Sequence, residues 1–274
     1  MKEVLSLNIG GETIYAEKHA VEGAKAVITV IHGLGEHIGR YAYFIGKLNE
    51  SGYTVYGLDL YGHGQSGGMR GYLDDFQRFV DEAIYLVNYA KAENPDKKHF
   101  LFGHSMGGCI VSTVGEQTDG LVDGIILSGA CTDVPPSAAK LQGAIKVLSK
   151  IAPKAKLGNS LGEFVSRDKD VVEYYNTDPL NLKKLTFSLY NQFCVIGANN
   201  SRDNAGKFSY PVIILHGSED KLSDPQASVN FYNNISSSDK SLKMYEGLYH
   251  EILNEPEKDE VISDILAWLE ERVK

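Results

Sequence analysis

The stretch that most constrains this chain is Phe100-Leu101-Phe102-Gly103-His104-Ser105-Met106-Gly107-Gly108. An apolar run of strand character enters it, a helix-forming run over 106–114 leaves it, and glycines flank one serine. A chain that passes from buried strand to helix in so few residues must turn sharply. A side chain at position 103 or 107 would crowd that turn. The G-x-S-x-G spacing is that of a turn which lifts a serine hydroxyl above the end of a sheet. Spacing alone does not select it, because composition yields roughly 0.2 such matches by chance and the chain contains three. The others are Gly64-Gln65-Ser66-Gly67-Gly68 and Gly158-Asn159-Ser160-Leu161-Gly162. Context decides: Ser66 lies in a glycine-rich loop, Ser160 follows a lysine-rich stretch, and only Ser105 has a strand before it and a helix after it.

The rest of the chain supplies the sheet that such a turn needs. Residues 4–9 and 13–16, separated by Gly10-Gly11, read as a hairpin. Strands are expected at 26–31, 53–60, 100–102, 124–128, 211–215 and 242–245. Helices are expected at 41–49, 74–92, 106–114 and 261–273; the second carries Phe76, Phe79, Val80, Ala83, Ile84 and Val87 at helical spacing. Alternating strands and helices imply an α/β fold, with a mostly parallel sheet covered on both faces. The rhythm breaks over 133–208, where no apolar strand is visible and helix-like stretches occupy 141–151 and 170–175. We therefore expect a core of residues 1–132 and 209–274. Residues 133–208 are expected to form a helical cap over the carboxyl ends of the strands, where open α/β sheets place ligands.

Composition removes several function classes. Among 274 residues the net charge of −9 argues against nucleic acid as a partner. Apolar runs are only a few residues long, far short of the about 20 that a membrane-spanning helix needs. The amino end has no apolar stretch suited to a secretory signal, so a cytoplasmic protein is expected. Three scattered cysteines, Cys109, Cys131 and Cys194, suggest neither a disulfide framework nor a zinc site. His32 and His37 are read as loop-packing residues rather than a metal pair, and no metal or cofactor is expected. Glycine is the informative excess. Of 28 glycines, eleven lie between Gly33 and Gly71 and three more at Gly103, Gly107 and Gly108, which concentrates tight turns in two segments.

A serine hydroxyl needs a base to take its proton. Downstream of Ser105 only His216 and His250 remain. His216 ends an apolar run and reads as a packing residue, whereas His250 falls in a loop before the last helix, where the base belongs. Asp220, in the loop after the preceding strand, is the natural acid, with Asp133 as the other possibility and Glu219 turned away if Asp220 turns in. A tetrahedral oxyanion needs two preorganised N–H donors. One belongs to the residue after the nucleophile, Met106, and the other to the loop His32-Gly33-Leu34-Gly35-Glu36-His37, at Leu34.

With these runs in place the sequence resembles the monoacylglycerol lipase group of α/β-hydrolases, which includes lysophospholipase-like enzymes. The matching segments are His32 through His37 with Arg40-Tyr41, Asp59 with Gly62-His63-Gly64-Gln65-Ser66, and Gly103 through Gly108. In the cap they are Ser166-Arg167 and Tyr175-Asn176-Thr177-Asp178-Pro179-Leu180, followed by Gly217 through Asp220 and Tyr245 through His250. The resemblance implies an α/β-hydrolase fold, Ser105, Asp220 and His250 as a catalytic triad, and Leu34 and Met106 as oxyanion donors. It further implies a polar head-group pocket around Glu36, Arg40, His104 and Tyr175. The expected activity is cofactor-free cleavage of an acyl ester of small-molecule size, most simply a monoacylglycerol. The alternatives are a lysophospholipase, or a carboxylesterase for small or aromatic acyl groups such as feruloyl.

The early cap qualifies the negative net charge. No acid lies between Asp133 and Glu163, while Lys140, Lys146, Lys150, Lys154 and Lys156 fall there. At helical spacing Leu141, Ala144, Ile145, Val147, Leu148 and Ile151 share one face, and Gln142, Lys146, Ser149 and Lys150 the other. Two readings follow: a peripheral contact with anionic lipid surfaces, or an apolar face that merely packs on the core.

Overall fold

The computed structural model describes residues 1–159 and 161–274. The chain begins with β1 (Lys2–Ile9) and β2 (Glu12–His19), a hairpin turned at Gly10 and Gly11, both at positive φ. Strand and helix then alternate through β3 (Ala26–Ile31), α1 (Ala42–Glu50), β4 (Tyr53–Leu58), α2 (Gln77–Glu93), β5 (Lys98–His104), α3 (Met106–Gln117) and β6 (Gly124–Ser128). Between the last of these and the next sheet strand lie α4 (Pro136–Ala139), α5 (Gln142–Ile151), β7 (Lys156–Gly158), α6 (Lys169–Thr177), β8 (Lys184–Thr186), α7 (Phe187–Tyr190) and α8 (Ala198–Asn204). The chain ends with β9 (Val212–Gly217), α9 (Pro225–Asn234), β10 (Lys240–Tyr245) and α10 (Lys258–Arg272).

Eight strands form one sheet in the order β1-β2-β4-β3-β5-β6-β9-β10. From β4 to β10 in this order all pairs are parallel, and only β2 runs against the rest, pairing antiparallel with both β1 and β4. β3 reads Ala-Val-Ile-Thr-Val-Ile and is buried throughout, as a parallel strand covered on both faces must be. Its residues alternate between two cores. Val27 and Ile31 join the α2–α3 side with Phe79, Val80, Ile110 and Val114. Ile28 and Val30 join the α1–α10 side with Phe44, Leu48, Ile265 and Leu269.

The strand order also places the site. From β3 the chain crosses to β4 on one side, and β5 lies on the other, so the connections diverge between the carboxyl ends of β3 and β5. That divergence leaves a crevice in open α/β sheets. The loop after β3 carries His32 to His37, and the turn after β5 carries Ser105.

The structure adds to these expectations at three places. The segment over 133–208 contains two strands: β7 pairs antiparallel with β8, but each has three residues and β7 is fully exposed, so no apolar run announces them. α9 leaves no apolar signature in the sequence, because its buried face is only Ala227, Ser228 and Phe231. Between the two readings of α5 the outcome is mixed, because its apolar face is only partly covered. Ile145 is buried, yet Leu141, Val147 and Ile151 are 55%, 54% and 76% exposed.

Candidate active site

Ser105 sits at φ 54°, ψ −117°, and among the described residues no other non-glycine has a positive φ. Holding a serine there costs about 1–3 kcal/mol, and the surroundings impose it. Its N–H donates to the Ser128 carbonyl, and its own carbonyl accepts from the Cys109 and Cys131 amides. The neighbouring glycines are required by contact: a Cβ on Gly103 would stand 2.3 Å from the Gly107 carbonyl oxygen, and one on Gly107 2.2 Å from that of Ile31. α3 is thereby pressed against the end of β3, which aims Ser105 into the crevice. Ser66, by contrast, is spent on structure, since its hydroxyl donates to the Asp59 carbonyl and accepts from the Tyr15 amide. Ser160 lies outside the described residues.

His250 and Asp220 come together from the loops after β10 and β9. His250 Nδ1 donates to Asp220 Oδ2 at 2.6 Å, while Asp220 Oδ1 accepts the amides of Leu222 and Ser223 at 2.8 and 3.0 Å. His216 does more than pack: its Nε2 donates to the same Oδ2 at 2.9 Å, and its Nδ1 meets Ser228 Oγ at 2.7 Å. Nothing in the sequence distinguishes this from a strand-end histidine, because the contact depends on how the next loop folds back. Burial alone would raise the Asp220 carboxyl, but the two imidazoles outweigh it and hold it far below the ordinary range. Burial would lower His250, and the Asp220 charge with its hydrogen bond reverses this, so the imidazole is more basic than usual. Asp133 is engaged elsewhere, by Arg202 and the Val134 amide, and Glu219 is exposed.

Ser105 and His250 line one cleft with Leu34, Leu161, Leu222 and, on the apolar side, Cys131, Pro135, Tyr190, Phe193 and Cys194. Among the described residues the Ser105 hydroxyl makes no hydrogen bond, so the serine–imidazole contact is open, as is common in unliganded sites. Two N–H groups beside it are also without acceptors among the described residues. Met106 is the first residue of α3, whose amide has no intrahelical partner. The Leu34 amide is oriented from behind. The Gly33 carbonyl accepts from His32 Nδ1 at 2.7 Å, and the Leu60 amide donates to His32 Nε2, which fixes the tautomer. Because the Gly33 carbonyl and Leu34 N–H belong to one planar trans peptide, tying back the first turns the second to the opposite side.

A polar cavity adjoins this cleft, lined by Glu36, Arg40, Tyr41, His104, Glu251 and Asn254. Tyr175 enters from α6: its ring stacks 4.8 Å from the Arg40 guanidinium. Arg40 Nε donates to Glu36 at 3.0 Å and Nη2 to Glu251 at 2.5 Å. Glu36 also accepts the Gly33 amide and the Tyr41 hydroxyl, each at 2.6 Å. Burial works against its charge, but Arg40 and the surrounding donors hold its pKa near about 2. His104 donates from Nδ1 to the Ser128 carbonyl, and its ring stands 4.7 Å from that of His250. Burial, followed by the neighbouring His250, drops it to about 3, so it is neutral. Sequence reasoning missed Glu251, whose partner Arg40 is 211 residues away. Its adjacency to His250 is the one signal that could have raised it.

Against known proteins, the model of the family described as "Serine aminopeptidase, S33" matches residues 22–257. The chain is 34% identical to a monoacylglycerol lipase of Mycolicibacterium smegmatis over 89% of its length and 88% of the relative's. It is 33% identical to a phospholipase, YtpA, of Bacillus subtilis, over 90% and 96%. A crystal structure of a monoacylglycerol lipase from Paleococcus ferrophilus superposes with a TM-score of 0.84 at 30% identity, covering 94% of this chain and 99% of that one. The chain belongs to this serine hydrolase family and, within it, to the monoacylglycerol lipase and lysophospholipase-like group of α/β-hydrolases.

Proposed function

We propose that this protein hydrolyses monoacylglycerols through an acyl-enzyme on Ser105. His250 Nε2 takes the hydroxyl proton as Oγ attacks the ester carbonyl, and Asp220 stabilises the imidazolium without itself being protonated. The amides of Leu34 and Met106 hold the oxyanion, a contribution of about 3–4 kcal/mol per donor. The imidazolium then protonates the departing glycerol oxygen, and in the second half-reaction His250 activates the water that releases the fatty acid.

The charge balance of the polar cavity carries the choice of head group. Arg40 is held by two carboxylates, Glu36 and Glu251, and His104 is neutral. The two carboxylates outnumber the one guanidinium, so the cavity offers a phosphate no net positive charge. An uncharged glycerol can exchange hydrogen bonds with these groups, including Arg40 Nη1, which has no partner among the described residues. A buried ion-pair cluster of this kind is expensive to disrupt, so a phosphodiester cannot recruit Arg40 cheaply. The test is a panel of a monoacylglycerol, a lysophosphatidylcholine and a feruloyl ester. We expect kcat/KM for the monoacylglycerol to exceed both others by at least about tenfold, or about 1.4 kcal/mol. A lysophospholipid or feruloyl ester turned over as fast overturns the reading.

We also propose that the cap meets its substrate at a lipid surface. α5 exposes Val147, Leu148 and Ile151, and Leu141 just before it is exposed too, with Lys146 and Lys150 on the same helix. It packs on α7 and on the π-helix Asn191–Gly197, the segments that bring Tyr190, Phe193 and Cys194 to the cleft. Exposed apolar residues fringed by lysines suit an anionic interface. No helix among the described residues is long and apolar enough to cross a membrane, so the contact is peripheral. In liposome co-sedimentation, vesicles containing anionic lipid should retain more protein than neutral ones, and the excess should fall as salt rises. Equal retention on both would refute it.

A further inference from the structure

The cap run around Asp178-Pro179-Leu180 takes part in no catalytic step, yet it is bound to the loop that carries Leu34. Asp178 Oδ2 accepts from His37 Nε2 at 2.9 Å, with both side chains 7% exposed. The other ring nitrogen of His37 accepts the Gly39 amide, so the tautomer that donates to Asp178 is fixed. Asp178 Oδ1 accepts the Leu180 amide, which folds the run back on itself, and four residues past Asp178 the Leu182 amide donates to the Gly35 carbonyl at 2.8 Å.

Four anchors thus surround the Leu34 peptide. Two belong to the core: His32 on the Gly33 carbonyl and Glu36 on the Gly33 amide. The other two, Leu182 on the Gly35 carbonyl and Asp178 on His37, are lent by the cap. Gly35 has φ +74°, so the residue just after Leu34 has the freest backbone of any residue type. Its carbonyl is tied to the Leu182 amide, which opposes its rotation.

Resting on the reading of Leu34 as an oxyanion donor, we propose that Asp178 is a positioning residue. Through His37 and the Leu182–Gly35 bond, the cap holds the oxyanion loop in its working conformation. The cap then does two separable things. α5 faces outward, and the Asp178–Leu182 segment, fastened to the core, keeps the Leu34 amide aimed.

The test uses the full-length protein with Asp178→Asn, His37→Phe and the double variant. Asparagine keeps the shape of Asp178 but cannot accept from both His37 and the Leu180 amide through its single oxygen. A donor displaced by a fraction of an ångström loses transition-state stabilisation while substrate binding persists. We expect kcat to fall about tenfold to a hundredfold in each variant with KM within about twofold. Affinity for a trifluoromethyl ketone, which forms the tetrahedral adduct, should fall by the same factor. The double variant should be no worse than either single one, because both cut the same latch. Unchanged kcat, or a raised KM with unchanged kcat, overturns the proposal. Should Asp178→Asn fail to fold, His37→Phe cuts the latch from the core side and is read alone. Ser105→Ala, assayed in parallel, separates the two levels: if it retains activity the active-site reading itself is wrong, whereas its inactivity with intact Asp178 variants refutes the latch alone.

Discussion

Ser105→Ala is expected to lower kcat for ester hydrolysis by about 10⁶ while leaving thermal stability nearly unchanged. The size follows from removing the only atom that forms the acyl-enzyme bond; what survives is catalysis by the oxyanion donors and binding alone. The stability expectation comes from the local geometry. The backbone at 105 is held by Ser128, Cys109 and Cys131, contacts that alanine keeps. Alanine is as strained at φ 54° as serine, and the hydroxyl makes no hydrogen bond among the described residues that could be lost. A surface-like change in Tm of a degree or two is the corresponding magnitude. The measurement pairs steady-state kinetics on a monoacylglycerol with labelling by a fluorophosphonate probe, which should vanish in the variant. Residual kcat above about 1% of the parent, or persistent labelling, would place the nucleophile elsewhere.

What could be read beforehand depended on where each contact is made. The strand at 26–31 was legible because two-sided burial writes itself as a continuous apolar run, and Ser105 because a tight turn needs glycines at fixed offsets. Both are local requirements. His216 was misjudged because its partner Asp220 reaches it only when the loop after β9 curls back through the Leu222 and Ser223 amides. Glu251 was invisible because its role exists only opposite Arg40. The outward face of α5 was undecided for a related reason. An amphipathic pattern states that two faces differ, but it does not state which of them meets protein. The small strands β7 and β8 hide because backbone pairing over three residues demands no apolar alternation.

The shared carboxylate gives the second large effect. Asp220→Asn should reduce kcat about 10⁴-fold at neutral pH, the scale seen when a triad acid becomes an amide and the imidazole takes the wrong tautomer. Here the amide faces two histidines instead of one. Oδ2 accepts from both His250 Nδ1 and His216 Nε2, and Oδ1 already accepts two backbone amides. An asparagine oxygen that stays with the backbone amides turns its NH₂ toward both imidazoles. Each ring then does best by presenting a lone pair, so His250 moves its proton to Nε2, the nitrogen that must be free to act as base. The pH profile carries the independent sign. In the parent, Asp220 holds the His250 pKa above its ordinary value, and the base works only when neutral, so kcat/KM falls as pH drops through that raised pKa. Without the carboxylate the imidazolium loses its main stabilisation and burial dominates. The acid limb should therefore move to lower pH even as the plateau drops. A plateau loss with the limb unmoved would mean that Asp220 orients His250 without stabilising its charge. A variant with nearly full activity would remove Asp220 from the mechanism. His216→Ala provides the control, since it removes the competing ring and leaves the Asp220–His250 bond in place. Its loss of kcat should be far smaller than that of Asp220→Asn, because the carboxylate still faces the base with one donor fewer.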